Sequence, residues 1–198
     1  MVRHILGMGG YYSLHRAVLP YGVGFALDVE RLARTWNLPI KVFFDVGANI
    51  GQTSSMALNS FSEAKVYTFE AHPKTFQTLC NEIGDDPRFA AQSLAVGDRN
   101  GTASLFTYSG APFASAWDSL IPSSYQPSDG TIDVRCTTID QFSAVNKIEQ
   151  IDVLKTDAEG SDLSVLRGAN KMLSDSGDPN GTVFVGVNAL LDLPRTQC

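Results

Sequence analysis

Short apolar, strand-forming runs alternate with segments of helical periodicity along this chain, and this alternation constrains the fold more than any other feature. Strands are predicted at 41–46, 65–70, 91–96, 101–108, 131–137, 151–156 and 182–187. Helices are predicted at 52–60, 73–83 and 162–173, and an amphipathic helix or a loop leading into one at 21–36. Because parallel strands need crossover connections, this order predicts a mostly parallel sheet with helices on both faces, a Rossmann-like α/β fold.

The size and composition are those of a globular chain. Of its 198 residues, 43% are hydrophobic and 18% are charged, so the chain is able to bury a core and lacks the composition of a disordered protein. We expect residues 1–36 to form an N-terminal extension with a leading helix, and residues 37–198 to form the main domain. We expect no membrane span, since no stretch is sufficiently long and apolar.

Charge and cysteine usage narrow the expected partners and compartment. The net charge is −6 and no cluster of Lys and Arg marks a phosphate-binding face, so nucleic acid is not an expected partner. Cys80, Cys136 and Cys198 are odd in number, far apart and without zinc-binding spacing. They indicate reduced thiols, no metal centre and a cytoplasmic location.

The first candidate site is the glycine loop DVGANIG at residues 45–51, which follows the first predicted strand of the main domain. Ligands of parallel sheets bind at the carboxyl ends of the strands, where this loop is expected. Gly47 allows a tight turn, and Gly51 allows the next helix to start close to the sheet or to a ligand. The alternative is a purely structural turn in which Asn49 caps that helix.

The second candidate is Glu70, which ends the second strand about 20 residues beyond the glycine loop. An acid at this position accepts hydrogen bonds from ribose hydroxyls, so the pair of features indicates an adenosine-containing cofactor. A solvated surface glutamate is the alternative. Ala48 and Asn49 replace the glycine that admits a pyrophosphate in NAD-binding loops. S-adenosylmethionine, which has no phosphate, therefore fits better than NAD.

The third candidate is the acidic pair Asp157 and Glu159, which follows the strand at 151–156. Two acids at this place are able to orient an acceptor hydroxyl and accept its proton, or to contribute to a divalent metal site. Alternatively, one of them caps the next helix. His72, beside Glu70, is interpreted as a partly exposed, inert residue. The loop at 110–130, with Ala116-Trp117-Asp118, is a candidate cover for the pocket.

Taken together, five stretches resemble the FkbM family of methyltransferases over about residues 42–190. They are VFFDVGANIGQTS (42–54), VYTFEAHPKTFQTLCNE (66–82), LAVGDRNGTASL (94–105), TTIDQF (137–142) and IDVLKTDAEGSDLSVLRGANKML (151–173). The resemblance implies a class I methyltransferase fold that binds S-adenosylmethionine. It also implies methylation of a hydroxyl oxygen on a small molecule, a sugar or a lipid-linked acceptor, by in-line displacement at the methyl carbon.

The resemblance also implies roles for individual residues. Position by position, it gives a cofactor loop of Asp45, Gly47, Asn49 and Gly51, a ribose ligand in Glu70, an adenine region at Ala95, Val96 and Asp98, and a reacting end at Asp157 and Glu159. Alignment and desolvation of the reactants supply most of the expected rate enhancement. Asp157 is our candidate for the base that accepts the proton of the hydroxyl.

The chain departs from the family pattern at several positions. Ala71 replaces a proline, Asp162 replaces a glutamate, and Gly186 replaces an acid in the last predicted strand. Residues 188–198 are too few for the closing helix and antiparallel strand pair of this fold, so we expect that pair to be lacking. The alternatives are accordingly a non-catalytic cofactor-binding or interaction domain and, less favoured, an NAD-dependent oxidoreductase. The acceptor and the oligomeric state are not specified by the sequence.

Overall fold

The computed structural model describes residues 25–108, 118–124, 127–174 and 183–187, and the chain divides into two compact units, Met1–Pro39 and Ile40–Cys198. In the first unit, helix α1 (Phe25–Trp36) is amphipathic and buries one face that includes Leu27 and Val29. The predicted extension at 1–24 lies outside the described residues. The predicted domain boundary after residue 36 coincides with the end of α1 and stays a prediction.

The second unit contains eight strands and five helices among its described residues. In chain order they are β1 (Val42–Val46), α2 (Gln52–Ser60), β2 (Lys65–Phe69), α3 (Pro73–Ile83), β3 (Phe89–Gln92), β4 (Ala95–Val96), β5 (Gly101–Thr107), β6 (Gly130–Thr137), α4 (Ile139–Val145), β7 (Val153–Thr156), α5 (Asp162–Arg167), α6 (Asn170–Ser174) and β8 (Phe184–Val187). The alternation of strands and helices follows the sequence pattern closely.

The main sheet has five strands in the order β3-β2-β1-β7-β8, and every neighbouring pair is parallel. This confirms the predicted Rossmann-like α/β class. The strand order changes direction between β1 and β7, and open α/β sheets bind ligands at the carboxyl ends of the strands beside such a point. The expected absence of an antiparallel pair concerns residues 188–198, which lie outside the described part of the chain.

A smaller sheet of three strands, ordered β4-β6-β5, lies next along the chain. β5 and β6 pair antiparallel from Gly101 opposite Cys136 to Thr107 opposite Gly130. β4 pairs parallel to β6. Buried Leu105 and Val134 belong to the small core of this sheet. Because β4 pairs with β6, the chain passes from the main sheet to the second sheet between β3 and β4.

Two elements that were predicted as continuous are each divided in two in the structure. The predicted strand at 91–96 is two strands, because the chain leaves the edge of the main sheet after Gln92 and pairs with β6 from Ala95. The predicted helix at 162–173 breaks into α5 and α6 at Gly168. There the Gly168 carbonyl accepts from Asp140 N–H at 2.9 Å, and the Asp140 carboxylate accepts from the first amides of α6. Asp140 therefore forms hydrogen bonds with the carbonyl group at the end of α5 and with amides at the start of α6.

The main core lies against the sheet and extends to the carboxyl ends of its strands. Phe44, Tyr67, Phe69 and Phe142 form an aromatic cluster, with the Phe69 and Phe142 ring centroids 4.8 Å apart. Residues of this core also form the floor of the cleft described below. A close-packed floor holds the residues above it in fixed positions.

Candidate active site

A cleft of about 640 Å³, open to solvent, lies at the carboxyl ends of β1, β2 and β7. Its lining includes Val46, Gly47, Asn49, Phe69, Glu70, Ala71, Leu94, Ala95, Val96, Leu105, Asp118, Ser119, Leu120, Asp157, Ala158, Glu159 and Ser161. Residues distant in sequence thus meet at the place that the predicted sheet indicates.

The glycine loop lies directly against the end of β7. Gly47 has φ 69°, and a Cβ atom built there would lie 2.0 Å from the Asp157 carbonyl oxygen. Gly51 has φ 94°, but its missing Cβ faces the side chains of Leu79 and Ile83 on α3 rather than the cleft. Gly51 itself is the N-cap of α2, without a side-chain hydrogen bond, so the interpretation of Asn49 as the cap is wrong.

The amides of the glycine loop are used within the protein. Gly47 and Ala48 both donate to the Phe69 carbonyl at 3.1 Å, and Gly51 donates to the Ala48 carbonyl at 2.9 Å. Asn49 donates to Glu70 Oε2 at 2.9 Å. A phosphate-binding loop instead directs its N–H groups at the ligand. This loop is therefore built against the neighbouring strand rather than around an anion.

Glu70 extends from the end of β2 into the cleft and is only 9% exposed, so the solvated-surface alternative is wrong. Its two oxygens accept from Asn49 N–H and, at 2.8 Å, from His72 N–H. Burial is the main cause that raises the pKa of Glu70 to about 7. His72 caps α3, because its Nδ1 accepts from Thr75 N–H at 3.4 Å.

Asp45 does not line the cleft. It is fully buried and forms an ion pair with Lys155, whose Nζ is 3.0 Å from Asp45 Oδ1. Its Oδ2 accepts from Ser54 Oγ at 2.7 Å, and Ser54 lies 2.9 Å from Thr68 Oγ1. Lys155 was not among the site residues predicted from the sequence. A charged residue within the apolar run IDVLKT was the available signal, since a charge in a buried strand requires a partner.

Asp157 and Glu159 both line the cleft, next to the glycine loop. Asp157 Oδ2 is 3.9 Å from Lys155 Nζ. Glu159 has the left-handed φ of 45°, and its carbonyl accepts from Ser119 Oγ at 2.6 Å. Burial, followed by the charges of Asp157 and Asp162, raises the pKa of Glu159 to about 7.

The alternative that Asp157 or Glu159 caps the following helix is wrong. The N-cap of α5 is Ser161. The buried carboxylate of Asp162 instead accepts from Ala158 N–H at 3.0 Å and from Thr156 Oγ1 at 2.7 Å. Asp162, one of the residues that depart from the family pattern, thus closes this turn.

Asp118 is a fourth acid of the cleft, and it was predicted from the sequence only as part of a covering loop. Its Oδ1 accepts from Tyr108 N–H at 3.1 Å, and its Oδ2 is 3.9 Å from His72 Nε2. Burial raises the pKa of Asp118, and its charge in turn contributes to the raised pKa of Glu70. Ala116 and Trp117 lie outside the described residues.

The residues expected around an adenine ring are only partly brought together. Ala95 and Val96 line the cleft beside Leu94 and Leu105, which gives this wall an apolar surface. Asp98 is exposed and is not among the lining residues. Of the predicted site residues, Gly47, Asn49, Glu70, Ala95, Val96, Asp157 and Glu159 line one cleft, whereas Asp45, Gly51 and Asp98 do not.

Within residues 25–108, 118–124, 127–174 and 183–187, no three His, Cys, Asp or Glu side chains come together as a metal site. None of the helices in those ranges combines the length and apolar character required to cross a bilayer.

A parallel sheet with a glycine loop after β1, a cleft-facing acid after β2 and an acidic pair after β7 defines a Rossmann-like fold of the methyltransferase type. The chain belongs to the FkbM methyltransferase family. The family model for the methyltransferase FkbM domain matches residues 45–188, a range that includes all the lining residues of the cleft named above. The resemblance seen in the sequence is confirmed.

Two curated relatives have names that describe methyl transfer. The chain is 26% identical over 147 residues to 2-O-methyltransferase NoeI of Sinorhizobium fredii, covering 69% of this chain and 60% of the relative. It is 25% identical over 146 residues to hexuronic acid methyltransferase AglP of Haloferax volcanii, covering 74% of this chain and 57% of the relative. The matched region is therefore somewhat over half the length of each relative.

Proposed function

We propose that this chain is an S-adenosylmethionine-dependent O-methyltransferase whose acceptor is a hydroxyl group of a sugar, free or within a larger small molecule or lipid-linked glycan. The observation that carries the proposal is that Glu70, Asp157 and Glu159 line one cleft at the carboxyl ends of parallel strands. Family membership and the names of the two relatives support the reaction and the sugar class.

The residues of the cleft fit S-adenosylmethionine better than a dinucleotide. Each Glu70 oxygen accepts one backbone N–H, so each keeps capacity for a ribose hydroxyl. The amides of Gly47, Ala48 and Asn49 are already engaged, which leaves them poorly disposed to hold a pyrophosphate. Four carboxyl side chains line the cleft and disfavour phosphate while favouring a cationic sulfonium. This argues against the NAD-dependent alternative.

Three parts of the cleft are proposed to bind three parts of the cofactor. Gly47 and Asn49 would hold the methionyl part, Glu70 the ribose hydroxyls, and the apolar wall at Ala95 and Val96 the adenine ring. When bound, S-adenosylmethionine supplies a methyl group that is electrophilic because it is attached to a sulfonium. The protein's own contribution is to align the acceptor and to exclude water around it.

The acceptor hydroxyl is proposed to lie against Asp157 and Glu159. A general base works best when its pKa is close to the operating pH, and the pKa of Glu159 is raised to about 7. We therefore add Glu159 to Asp157, the candidate from the sequence, as an acceptor for the hydroxyl proton. Asp157 has the Lys155 ammonium 3.9 Å away and is suited to orient the hydroxyl.

We further propose a cytoplasmic protein whose partner is this small-molecule acceptor and not a nucleic acid. Cys80 and Cys136 are free thiols, and thiols stay reduced in the cytosol. The net charge of −6 opposes association with a polyanion.

Calorimetric titration of the full chain with S-adenosylmethionine, its demethylated product and NAD tests the cofactor. We expect saturable binding of the first two and none of NAD. Glu70→Ala should weaken binding by about tenfold or more, because a buried carboxylate that accepts ligand hydroxyls is lost. Glu63→Ala, at an exposed position before β2, is the matched control. Tight NAD binding, or equal binding by both variants, would refute the assignment.

A second candidate, a cofactor-binding domain without turnover, is favoured by one observation. Gly186 of β8 is paired in register with Lys155, so the acid that the family pattern has at this position is missing beside the site. Incubation with labelled cofactor and a panel of neutral and acidic sugars separates the two functions. Transfer of label to any sugar excludes this candidate, and cofactor binding without transfer to any of them supports it.

A further inference from the structure

Lys155 lies in the middle of β7, a strand hydrogen-bonded on one side to β1 and on the other to β8. Its side chain is only 10% exposed. A buried ammonium group requires acceptors for its three N–H donors, and any lysine that lacks them destabilises the fold. The acceptors around Lys155 Nζ therefore show which segments of the fold this residue holds together.

All the nearest acceptors belong to the glycine loop and the strand that leads into it. Lys155 Nζ is 3.0 Å from Asp45 Oδ1, 3.0 Å from the Gly47 carbonyl and 3.5 Å from the Val46 carbonyl. Asp45 in turn accepts from Ser54 in α2. One ammonium group thus connects β7, the end of β1, the glycine loop and, through Asp45, the first helix after the loop.

The bond to the Gly47 carbonyl matters because of where Gly47 lies. Its φ of 69° and its contact with Asp157 permit only glycine there, and glycine is the residue with the most backbone freedom. A charge-assisted hydrogen bond to the Gly47 carbonyl fixes the peptide plane between Gly47 and Ala48. The same plane sets the direction of the turn that carries Asn49 into the cleft.

We propose that Lys155 is a positioning residue that holds the glycine loop in the conformation that receives the methionyl part of the cofactor. In this assignment Asp45 anchors Lys155 and does not touch the cofactor. The inference rests on the proposed function and deepens it, since it separates recognition of the methionyl part, through Lys155, from recognition of the ribose, through Glu70.

The test uses the double variant Asp45→Asn, Lys155→Met. Replacing both partners avoids leaving one buried charge unpaired, which would unfold the protein for reasons unrelated to the loop. The amide introduced by Asp45→Asn retains an acceptor oxygen for Ser54. Lys171→Met, at an exposed position of α6, is the matched control, and thermal unfolding confirms that each variant is folded.

Two measurements report separately on the conformation of the glycine loop and on ligand affinity. Amide hydrogen exchange without ligand should accelerate about tenfold at residues 47–49 of the double variant and stay unchanged in α3. By titration, affinity for S-adenosylmethionine should fall about tenfold or more, whereas affinity for 5′-methylthioadenosine, which lacks the amino-acid part, should change less than about twofold. A merely structural role of Lys155 would change both affinities together.

Unchanged exchange in the loop overturns the proposal, as does a parallel loss of affinity for both ligands in a folded variant. If the wild-type chain binds neither ligand, the proposed function fails. The exchange measurement needs no ligand and still decides whether Lys155 holds the loop.

Discussion

Replacing Glu70 by glutamine should remove the part of the pH dependence of stability that this carboxyl group causes. The pKa of Glu70 is about 7 in the folded protein against an ordinary value of 4.5, so the fold favours the protonated carboxyl group. Between these two pH values the native state holds a proton that the unfolded chain releases. Raising the pH through this window therefore removes stability, which is fully present below pH 4.5 and lost above pH 7.

The size of the effect follows from the same two values. Each pKa unit corresponds to about 1.36 kcal/mol, so ionising buried Glu70 costs about 3 kcal/mol of the free energy of unfolding. Glutamine does not ionise, but its single carbonyl oxygen serves only one of the two amides that Glu70 accepts, those of Asn49 and His72. The lost hydrogen bond costs about 1–2 kcal/mol at every pH.

Glu70→Gln is thus expected to be about 1–2 kcal/mol less stable than wild type at about pH 4.5 and about 1–2 kcal/mol more stable at about pH 8.5. Urea unfolding at several pH values between these limits measures both curves, and Glu63→Gln is the exposed control. The difference between wild type and Glu70→Gln should change by about 3 kcal/mol over this range. Parallel stability curves would refute the argument that burial of Glu70 raises its pKa.

Three further predictions concern the same cleft. By titration, affinity for S-adenosylmethionine should rise from about pH 6 to about pH 8 in wild type, because ribose hydroxyls bind the ionised carboxylate, and should rise less in Glu70→Gln, where Glu159 still ionises near pH 7. Gly47→Ala should lose about 2–4 kcal/mol in urea unfolding, and Gly130→Ala, where a Cβ meets open space, about 0.5 kcal/mol or less, since Gly47 has φ 69° and also meets the Asp157 carbonyl. Ser119→Ala should slow methyl transfer about tenfold with cofactor affinity unchanged, because Ser119 Oγ holds the Glu159 backbone; equal loss of both would contradict this role.

The sheet was predictable because parallel strands buried on both faces are continuous apolar runs, and the crossover helices between them have their own period. The boundary between β3 and β4 was not predictable in this way. The run at 91–96 has no glycine or proline that would mark a break, although Gln92 and Ser93 are polar, and the change of pairing partner from β2 to β6 divides it. The break at Gly168 likewise depends on Asp140, whose hydrogen bonds are formed only in the folded chain.

Site residues were predictable where they directly follow a strand in the sequence, and not where a side chain or its partners come from a distant part of the chain. Gly47 and Glu70 are fixed by the ends of β1 and β2, so spacing along the chain located them. Asp118 lies outside every predicted strand and helix, and the acceptors of Lys155 lie in β1 and the glycine loop, far away along the chain. The charge within the apolar run IDVLKT marks Lys155 itself, but no local pattern in the sequence identifies its acceptors or places Asp118 in the cleft.

Asp45 and Glu70 show why spacing alone does not separate a ligand-binding acid from a structural one. Each carboxylate lies at the carboxyl end of a neighbouring strand and is largely excluded from water. Asp45 is paired in register with Lys155 and has a cation at 3.0 Å, so its charge is compensated within the protein. Glu70 has two backbone amides, with Lys155 contributing least among the causes that act on its pKa, and that pKa stays near 7. The raised pKa indicates an incompletely stabilised carboxylate, and such a group gains the most from hydroxyl donors that a ligand brings into the cleft.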